Sequence, residues 1–369
     1  MARPVVITGG GTGGHVFPMQ AIAEALVAQG VAPGDLHYVG SRRGQERTLL
    51  RGDVALTLLP GRGLRRSLRP SDLLANAGAC LGLAAALVSA QFLIGRWRPS
   101  AVVSVGGYAS FAVALAAACW RVPLVLVDFD AVPGAAHRLL AHWATKRCTA
   151  FGPASDKVVV TGAPLRESIE SLDRSPGARR VAKLSAEPPI DADRTVVLVV
   201  TGSLGSHRVN VAVRDLAQLW SSRHDRALVH VTGRRDYAEI SATRPDLNGL
   251  DYRVIEFGDM GSLWSLCDVA VCRAGAITVA ELETLSVPAV LVPLPGAPHD
   301  HQTMNARALA EVGGAIIVRD DRCSAQTLGD ALDVIAEDAV RDEMARAVHS
   351  LAHPRAAVAI AQVVLGVQA

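Results

Sequence analysis

Aromatic side chains are scarce: Phe, Tyr and Trp make up 4% of the chain, although half of all residues are hydrophobic. Ala, Val, Leu and Gly carry the apolar content, as in α/β folds whose parallel strands are buried on both faces. Excess charge is also missing. The formal net charge is +2, which argues against a nucleic acid partner. No Cys-x-x-Cys pair occurs among the six cysteines, at 80, 119, 148, 267, 272 and 323. Their scatter, several within apolar runs, argues against a disulfide frame or zinc site and predicts buried, reduced thiols in a cytosolic protein. The N-terminus reads directly into an apolar strand, so no signal peptide is expected. With 369 residues the chain exceeds one ordinary core and suits two domains.

What charge there is lies unevenly. Residues 1–170 hold 17 Lys/Arg against 10 Asp/Glu, and the remainder holds 20 against 25. A basic half joined to an acidic half suggests an anionic surface or ligand for the first. Residues 73–95 carry no charge over 23 positions, but seven are Ala and three are Gly, and Asn76, Ser89 and Gln91 are polar. As a helix the stretch is long enough to cross a bilayer yet only weakly lipophilic, so it reads as buried or half-buried in preference to spanning. Arg62, Arg65, Arg66 and Arg69 precede it, and Arg96 and Arg98 follow. Such a helix could rest on an anionic leaflet without crossing it.

Apolar strands alternate with helical patterns along the chain, which implies parallel sheets with helices on both faces. The charged, Pro-containing stretch 171–194 interrupts the rhythm and reads as part of an inter-domain connection. The pattern then restarts at "TVVLVV" (195–200) and a second glycine turn, "TGSLGSHRVN" (201–210). Residues 346–369 read as helix returning to the first domain.

"ITGGGTGGHVFP" (7–18) places Gly9, Gly11 and Gly14 in a G-x-G-x-x-G turn between a strand and a helix. Its N–H groups and the helix start suit a diphosphate. A NAD-binding domain would want an acid at the end of its second strand, where "VGSRRGQE" (39–46) delays one until Glu46. NADP would tolerate that. His15 lies at the helix N-terminus, whose positive end disfavours protonation, so a neutral imidazole there suits a general base or simply caps the loop. "SVGGYAS" (104–110) adds a glycine turn at a strand end. The carboxylates of "DFD" (128–130) would face opposite ways on an extended strand, which argues against a shared metal. In "CRAGAITVAELETL" (272–285) Glu281 falls two turns into a helix, placed to take ribose hydroxyls or to be a surface charge, and Arg273 could equally be a surface charge. "PHDHQTMNA" (298–306) crowds His299, Asp300 and His301 too closely for a helical zinc site and offers Gln302 and Asn305 for hydrogen bonds.

Together with "AVPG" (131–134), "TGAPLR" (161–166), Asn210 and "VPLP" (292–295), these segments resemble the MurG family of N-acetylglucosaminyltransferases over residues 4–320. The resemblance implies an α/β GT-B fold, two Rossmann-like doubly wound domains facing across a cleft. The expected domains are 1–165 for a lipid acceptor and the membrane, 166–345 for UDP-GlcNAc, and the returning helix. It implies inverting transfer of GlcNAc to the muramyl C4 hydroxyl of lipid I, without a metal or other cofactor, on the cytoplasmic face of the membrane. His15 would be the base, with Asp128 second. Gly11, Gly106, Gly107 and Tyr108 would hold the acceptor. Thr12, Gly13, Gly14, Asp130, Arg166, Ser203, Phe257, Ala276, Ile277, Thr278, Val279, Ala280, Glu281 and Gln302 would hold the donor. The chain departs from the family pattern twice. Val127-Asp128-Phe129-Asp130 stands for His-Glu-Gln-Asn, and Thr201-Gly202-Ser203-Leu204-Gly205 for Gly-Gly-Ser-Gln-Gly. These departures motivate an alternative, a related transferase with another donor sugar or polyprenyl acceptor. A weakly catalytic binding paralogue is a further one.

Overall fold

The computed structural model describes residues 3–10, 13–42, 44, 46–50, 55–60, 70–202 and 204–368, without the side chains of 48, 70–77, 108 and 298. Arg62, Arg65, Arg66 and Arg69 lie outside the described residues. The chain divides into two compact units, residues 1–166 with 355–369, and residues 167–354. The segment that returns to the first unit begins at Arg355, after the helix Asp338–His349.

The first unit is built on seven parallel strands: β1 (Val5–Thr8), β2 (Leu36–Ser41), β3 (Ala55–Leu59), β4 (Ala101–Ser104), β5 (Leu124–Asp128), β6 (Lys146–Thr149) and β7 (Val158–Val160). Their order is β3-β2-β1-β4-β5-β6-β7. β1, β4 and β5 are buried throughout, which explains their near-continuous Val, Ile and Leu. The direction of winding reverses between β1 and β4. Their register pairs Thr8 with Ser104, so both strands end level. Helix Pro70–Trp97 buries Ala79, Ala86, Ala90 and Ile94. These mostly small residues let it lie close against helix Tyr108–Cys119 and the sheet. Its other face exposes Leu81, Ala84, Ala85, Val88 and Phe92. The portion Gly78–Trp97 is long and apolar enough to span a membrane by length and composition.

The second unit repeats the plan with β8 (Thr195–Val200), β9 (Arg226–Val231), β10 (Asp251–Ile255), β11 (Val269–Cys272), β12 (Ala289–Leu291) and β13 (Ala315–Ile317). The order is β10-β9-β8-β11-β12-β13, all parallel, with the reversal between β8 and β11. The stretch 171–194 is not a connection. It holds the helix Pro176–Leu184 and is fastened to this unit. Lys183 Nζ and Arg179 pair with the two oxygens of Asp268, at 2.7 and 2.9 Å. Arg174 donates to the carbonyls of Leu285, Trp264 and Cys267. The polar residues that suggested a linker are engaged in ion pairs and with carbonyls at helix C-termini.

All six thiols are free, but burial holds only for some of them. Cys148, Cys267 and Cys272 are buried in or beside strands, whereas Cys80 and Cys119 are exposed and Cys323 is half-buried. Cys80 lies on the exposed side of helix Pro70–Trp97, and Cys119 is the last residue of helix Tyr108–Cys119, so an apolar run alone did not place either thiol inside.

Candidate active site

Open parallel sheets bind ligands outside the carboxyl ends of the strands, at the point where winding reverses. In the first unit that point is flanked by the turns after β1 and β4, and in the second by the turns after β8 and β11. All four carry the glycine or "RAGA" motifs of the sequence.

The two turns of the first unit touch. Gly9 lies so close to the other turn that a Cβ there would stand 2.3 Å from Val105 Cγ2. Gly107 has φ +89°, and a Cβ on it would be 2.4 Å from the Gly10 carbonyl oxygen. Only glycine satisfies both the dihedral and the approach. Over Gly106, the Cβ position lies 3.4 Å from His15 Nε2 and 3.9 Å from His137 Cε1. His15 is half-buried in the first turn of helix Gly13–Ala28, its ring centroid 5.9 Å from that of Phe129. Glu46 is fully buried and accepts the Ser41 N–H at 3.0 Å, with Oε1 against Gly10. The acid near the end of β2 therefore braces the glycine turn and is not presented to a ribose.

Behind the β4 turn runs a buried chain. Asp128 Oδ1 accepts from His137 Nδ1 at 2.7 Å, and Asp128 Oδ2 accepts from Arg147 at 3.1 Å. In the neutral imidazole the hydrogen is thereby fixed on Nδ1, and Nε2 accepts the Ser104 hydroxyl at 2.8 Å. Burial pushes the Asp128 carboxyl up, but the hydrogen bonds and charges of His137 and Arg147 outweigh it and hold the carboxyl below its ordinary range.

In the second unit Arg273 gathers the loops. It donates to the Val292 and Pro293 carbonyls and to Ser206 Oγ, and pairs with Asp320 at 2.8 Å. It is a staple and not a surface charge. Asn210, fully buried, holds the start of helix His207–Leu219 by donating to the Thr232 carbonyl and to Asp236 at 2.9 and 2.8 Å. Its side-chain oxygen faces His230 Nε2 at 3.0 Å. Burial lowers the His230 imidazole to about 3, so it is neutral and its Nδ1 accepts from the Tyr252 hydroxyl. Glu281, half-buried on helix Ala276–Leu285, accepts the indole N–H of buried Trp264 at 3.1 Å. Gln302 Oε1 accepts the Leu294 N–H at 2.9 Å, which turns its amino group to the remaining side. Asn305 donates to the Ala274 carbonyl at 3.1 Å and anchors the β11 turn from below. Phe257 is exposed, with the Arg234 guanidinium 5.4 Å over its ring.

The residues singled out in the sequence fall into distinct settings. His15, Gly13, Gly14, Gly106 and Gly107 collect at the first reversal point, while Gly11, Thr12, Ser203 and the Tyr108 side chain lie outside the described residues. Asp128 is buried within the sheet, and Asp130 is half-buried beyond its end. Arg166 belongs to the first unit and packs over Phe17 at 4.4 Å. Ala276, Val279 and Ala280 are buried, whereas Ile277, Thr278 and Glu281 are half-buried on the same helix. Ser104, His137, Arg147 and Trp264 were not marked by sequence reasoning. A histidine nine residues after Asp128 in "DFDAVPGAAH" was the one sign of them.

Residues 5–149 match the glycosyltransferase family 28 N-terminal domain, and residues 196–360 match the C-terminal domain of the same family. The UDP-N-acetylglucosamine–N-acetylmuramyl-(pentapeptide) pyrophosphoryl-undecaprenol N-acetylglucosamine transferase of Alkalilimnicola ehrlichii is 37% identical, over 99% of each chain. Its namesake from Salinibacter ruber is 36% identical, over 99% of this chain and 96% of its own. The crystal structure of Acinetobacter baumannii MurG superposes with a TM-score of 0.76 at 29% identity, covering 99% of both chains. A UDP-GlcNAc 2-epimerase from Neisseria meningitidis shares the fold alone, with a TM-score of 0.66 at 16% identity over 99% of this chain and all of its own. The chain therefore belongs to the MurG family of N-acetylglucosamine transferases, with the GT-B fold of two parallel-sheet α/β domains.

Proposed function

We propose that the protein moves N-acetylglucosamine from UDP-GlcNAc to the muramyl C4 hydroxyl of an undecaprenyl-diphosphate-linked muramyl pentapeptide (lipid I), forming a β(1→4) bond with inversion. The observation that carries this reading is the gathering of all four motif turns at the two points where sheet winding reverses. The names of the relatives support the same reaction.

In this reading the first unit binds the acceptor. N–H groups of the turns containing Gly11, Gly106, Gly107 and Tyr108 meet its diphosphate, aided by the N-terminus of helix Gly13–Ala28. The second unit binds the donor. Glu281 takes the ribose hydroxyls, Phe257 borders the uracil, and Gln302 addresses the sugar. Ser203 and the segment from Ala276 to Ala280 line the nucleotide, with Thr12, Gly13, Gly14, Asp130 and Arg166 also assigned to the donor. His15 Nε2 takes the proton of the C4 hydroxyl as that oxygen bonds to the anomeric carbon. The bond from the anomeric carbon to the diphosphate oxygen breaks, and UDP leaves with the electron pair. Helix N-termini and Arg166 stabilise the charge that grows on the leaving group.

The setting is the cytoplasmic face of the membrane, with the protein peripheral to it. The exposed stripe Leu81, Val88 and Phe92 supports this, as does Arg96 at its end and the basic balance of residues 1–170. Trp120 extends the apolar surface, its indole lying over Gly95.

The test is incubation of the full-length protein with a lipid I analogue and UDP-GlcNAc or UDP-GalNAc, followed by product mass and linkage analysis. The expected product is the β(1→4) GlcNAc adduct. Preference for UDP-GalNAc would replace the donor assignment, and UDP binding without transfer of either sugar would leave a binding role only.

A further inference from the structure

The turn after β4 is held from behind by polar groups that the transfer step does not use. Ser104, His137 and Asp128 are 0%, 3% and 5% exposed. They form one hydrogen-bonded line with Arg147 at its far end. The order Ser–His–Asp is that of hydrolase triads. Here the serine is sealed off, so no substrate reaches it and its hydroxyl is not a nucleophile. Both Asp128 oxygens are occupied, so the carboxylate is not placed to take a proton from an acceptor either.

Ser104 ends β4 level with Thr8, two residues before Gly106. Gly107 then presses against Gly10, leaving no room for a Cβ. His15 Nε2 and His137 Cε1 both face the point over Gly106 where a Cβ would stand. One small space is thus shared by the turn and two imidazoles, and one of these is fixed in angle and tautomer by a buried carboxylate. We infer that His137, oriented by Asp128 and tied to Ser104, is a positioning residue for His15, acting through the Gly106–Gly107 turn. The inference rests on the reading of His15 as the base. Proton transfer depends steeply on the placing of the base, so tenths of an ångström at this turn reach the rate.

Two variants of the full-length protein test it. Ser104→Ala deletes one hydroxyl from a buried site and should fold. Asp128→Asn keeps the shape but frees the imidazole to carry its hydrogen on Nε2. The measurements are kcat, the UDP Kd, the melting temperature and the side-chain 15N resonances of the histidines, the last without substrate. For Ser104→Ala the expected result is a kcat about tenfold lower, with the UDP Kd within about twofold and cooperative melting retained. The His15 resonances should shift while those of His230 stay in place. Asp128→Asn should lower kcat at least as far and move the His137 hydrogen from Nδ1 to Nε2. A kcat within about twofold of wild type in both variants would overturn the inference. So would a lowered kcat with His15 resonances unmoved, because that result belongs to a structural role only. Wild-type turnover in the same assay tests the transferase reading separately, since the resonance shifts need no acceptor or donor.

Discussion

His15, the proposed base, lies with its Nε2 over a turn whose shape glycines set. A side chain on Gly107 would push the β4 turn from Gly10, and one on Gly106 would strain a backbone at φ +95° and bring its Cβ against the His15 ring. Replacing His15 by Ala removes the proposed base and leaves the donor residues of the second unit untouched. The kcat is expected to fall about 10²–10⁴-fold, with UDP binding by calorimetry unchanged. Turnover at the wild-type rate would remove His15 from the mechanism. In the second unit, Trp264 donates to one oxygen of Glu281, the proposed ribose ligand. Trp264→Phe deletes that hydrogen bond at a cost of about 1 kcal/mol, and UDP affinity should drop about fivefold. The loss should vanish for 2′,3′-dideoxy-UDP, which has no hydroxyls for Glu281 to hold, and an equal loss for both nucleotides would reject the role. His15 and Glu281 could be picked out as candidates from the sequence because each belongs to a motif that follows a strand. Trp264 and His137 were not, because they act across 17 and 9 residues of chain, through contacts that exist only once the elements have packed.

Helix Ala276–Leu285 shows what an element can hide. Its pattern advertises Glu281, yet Glu283 lies on the face turned into the core. Burial raises the Glu283 carboxyl from its ordinary 4.5 to about 8. In the pH range between those values the folded protein holds a proton that the unfolded chain has released. The stability this proton linkage contributes is therefore whole below pH 4.5, falls as pH rises and is lost once pH passes 8. Glu283→Gln cannot ionise, so this loss should disappear. At pH 8 the variant should be more stable than wild type by about 1–3 kcal/mol in urea unfolding, with the difference shrinking towards pH 5. A constant difference across that range would show that Glu283 is ionised in the fold. Legibility at this scale followed the same physics. β1, β5, β8 and β11 were readable as apolar runs because both of their faces are covered. β6, "KRCT", sits between β5 and β7 yet carries two cations, because Arg147 reaches Asp128 and Lys146 reaches the Asp156 carbonyl. Polar residues that find partners only in the fold hid that strand, as they made 171–194 look like a linker.

For the whole molecule, the uneven charge and the apolar stripe have to be read together. Leu81, Val88 and Phe92 are 74%, 71% and 68% exposed on one face of helix Pro70–Trp97. Each would gain about 1.5–3 kcal/mol if fully buried, an upper figure for shallow insertion. That gain alone gives weak, reversible binding, and each arginine near an anionic leaflet adds about 1 kcal/mol. Neither part would suffice for firm attachment, so the peripheral reading proposed above requires the two signals to act jointly. The helix also gives its Ala79, Ala86, Ala90 and Ile94 face to the core of the first unit, and it could not enter a bilayer without giving up that packing. The protein should therefore bind phosphatidylglycerol-containing vesicles better than neutral ones, and release as salt rises. Leu81→Asp with Phe92→Asp changes two exposed positions and should not disturb the fold. Vesicle binding by sedimentation should fall at least tenfold, while transfer to a short-chain, detergent-free acceptor analogue stays within about twofold. Binding equal to wild type would mean that another surface meets the lipid. Wild-type attachment that survives both high salt and alkaline carbonate would mean that the helix spans the bilayer, and the peripheral reading would fail.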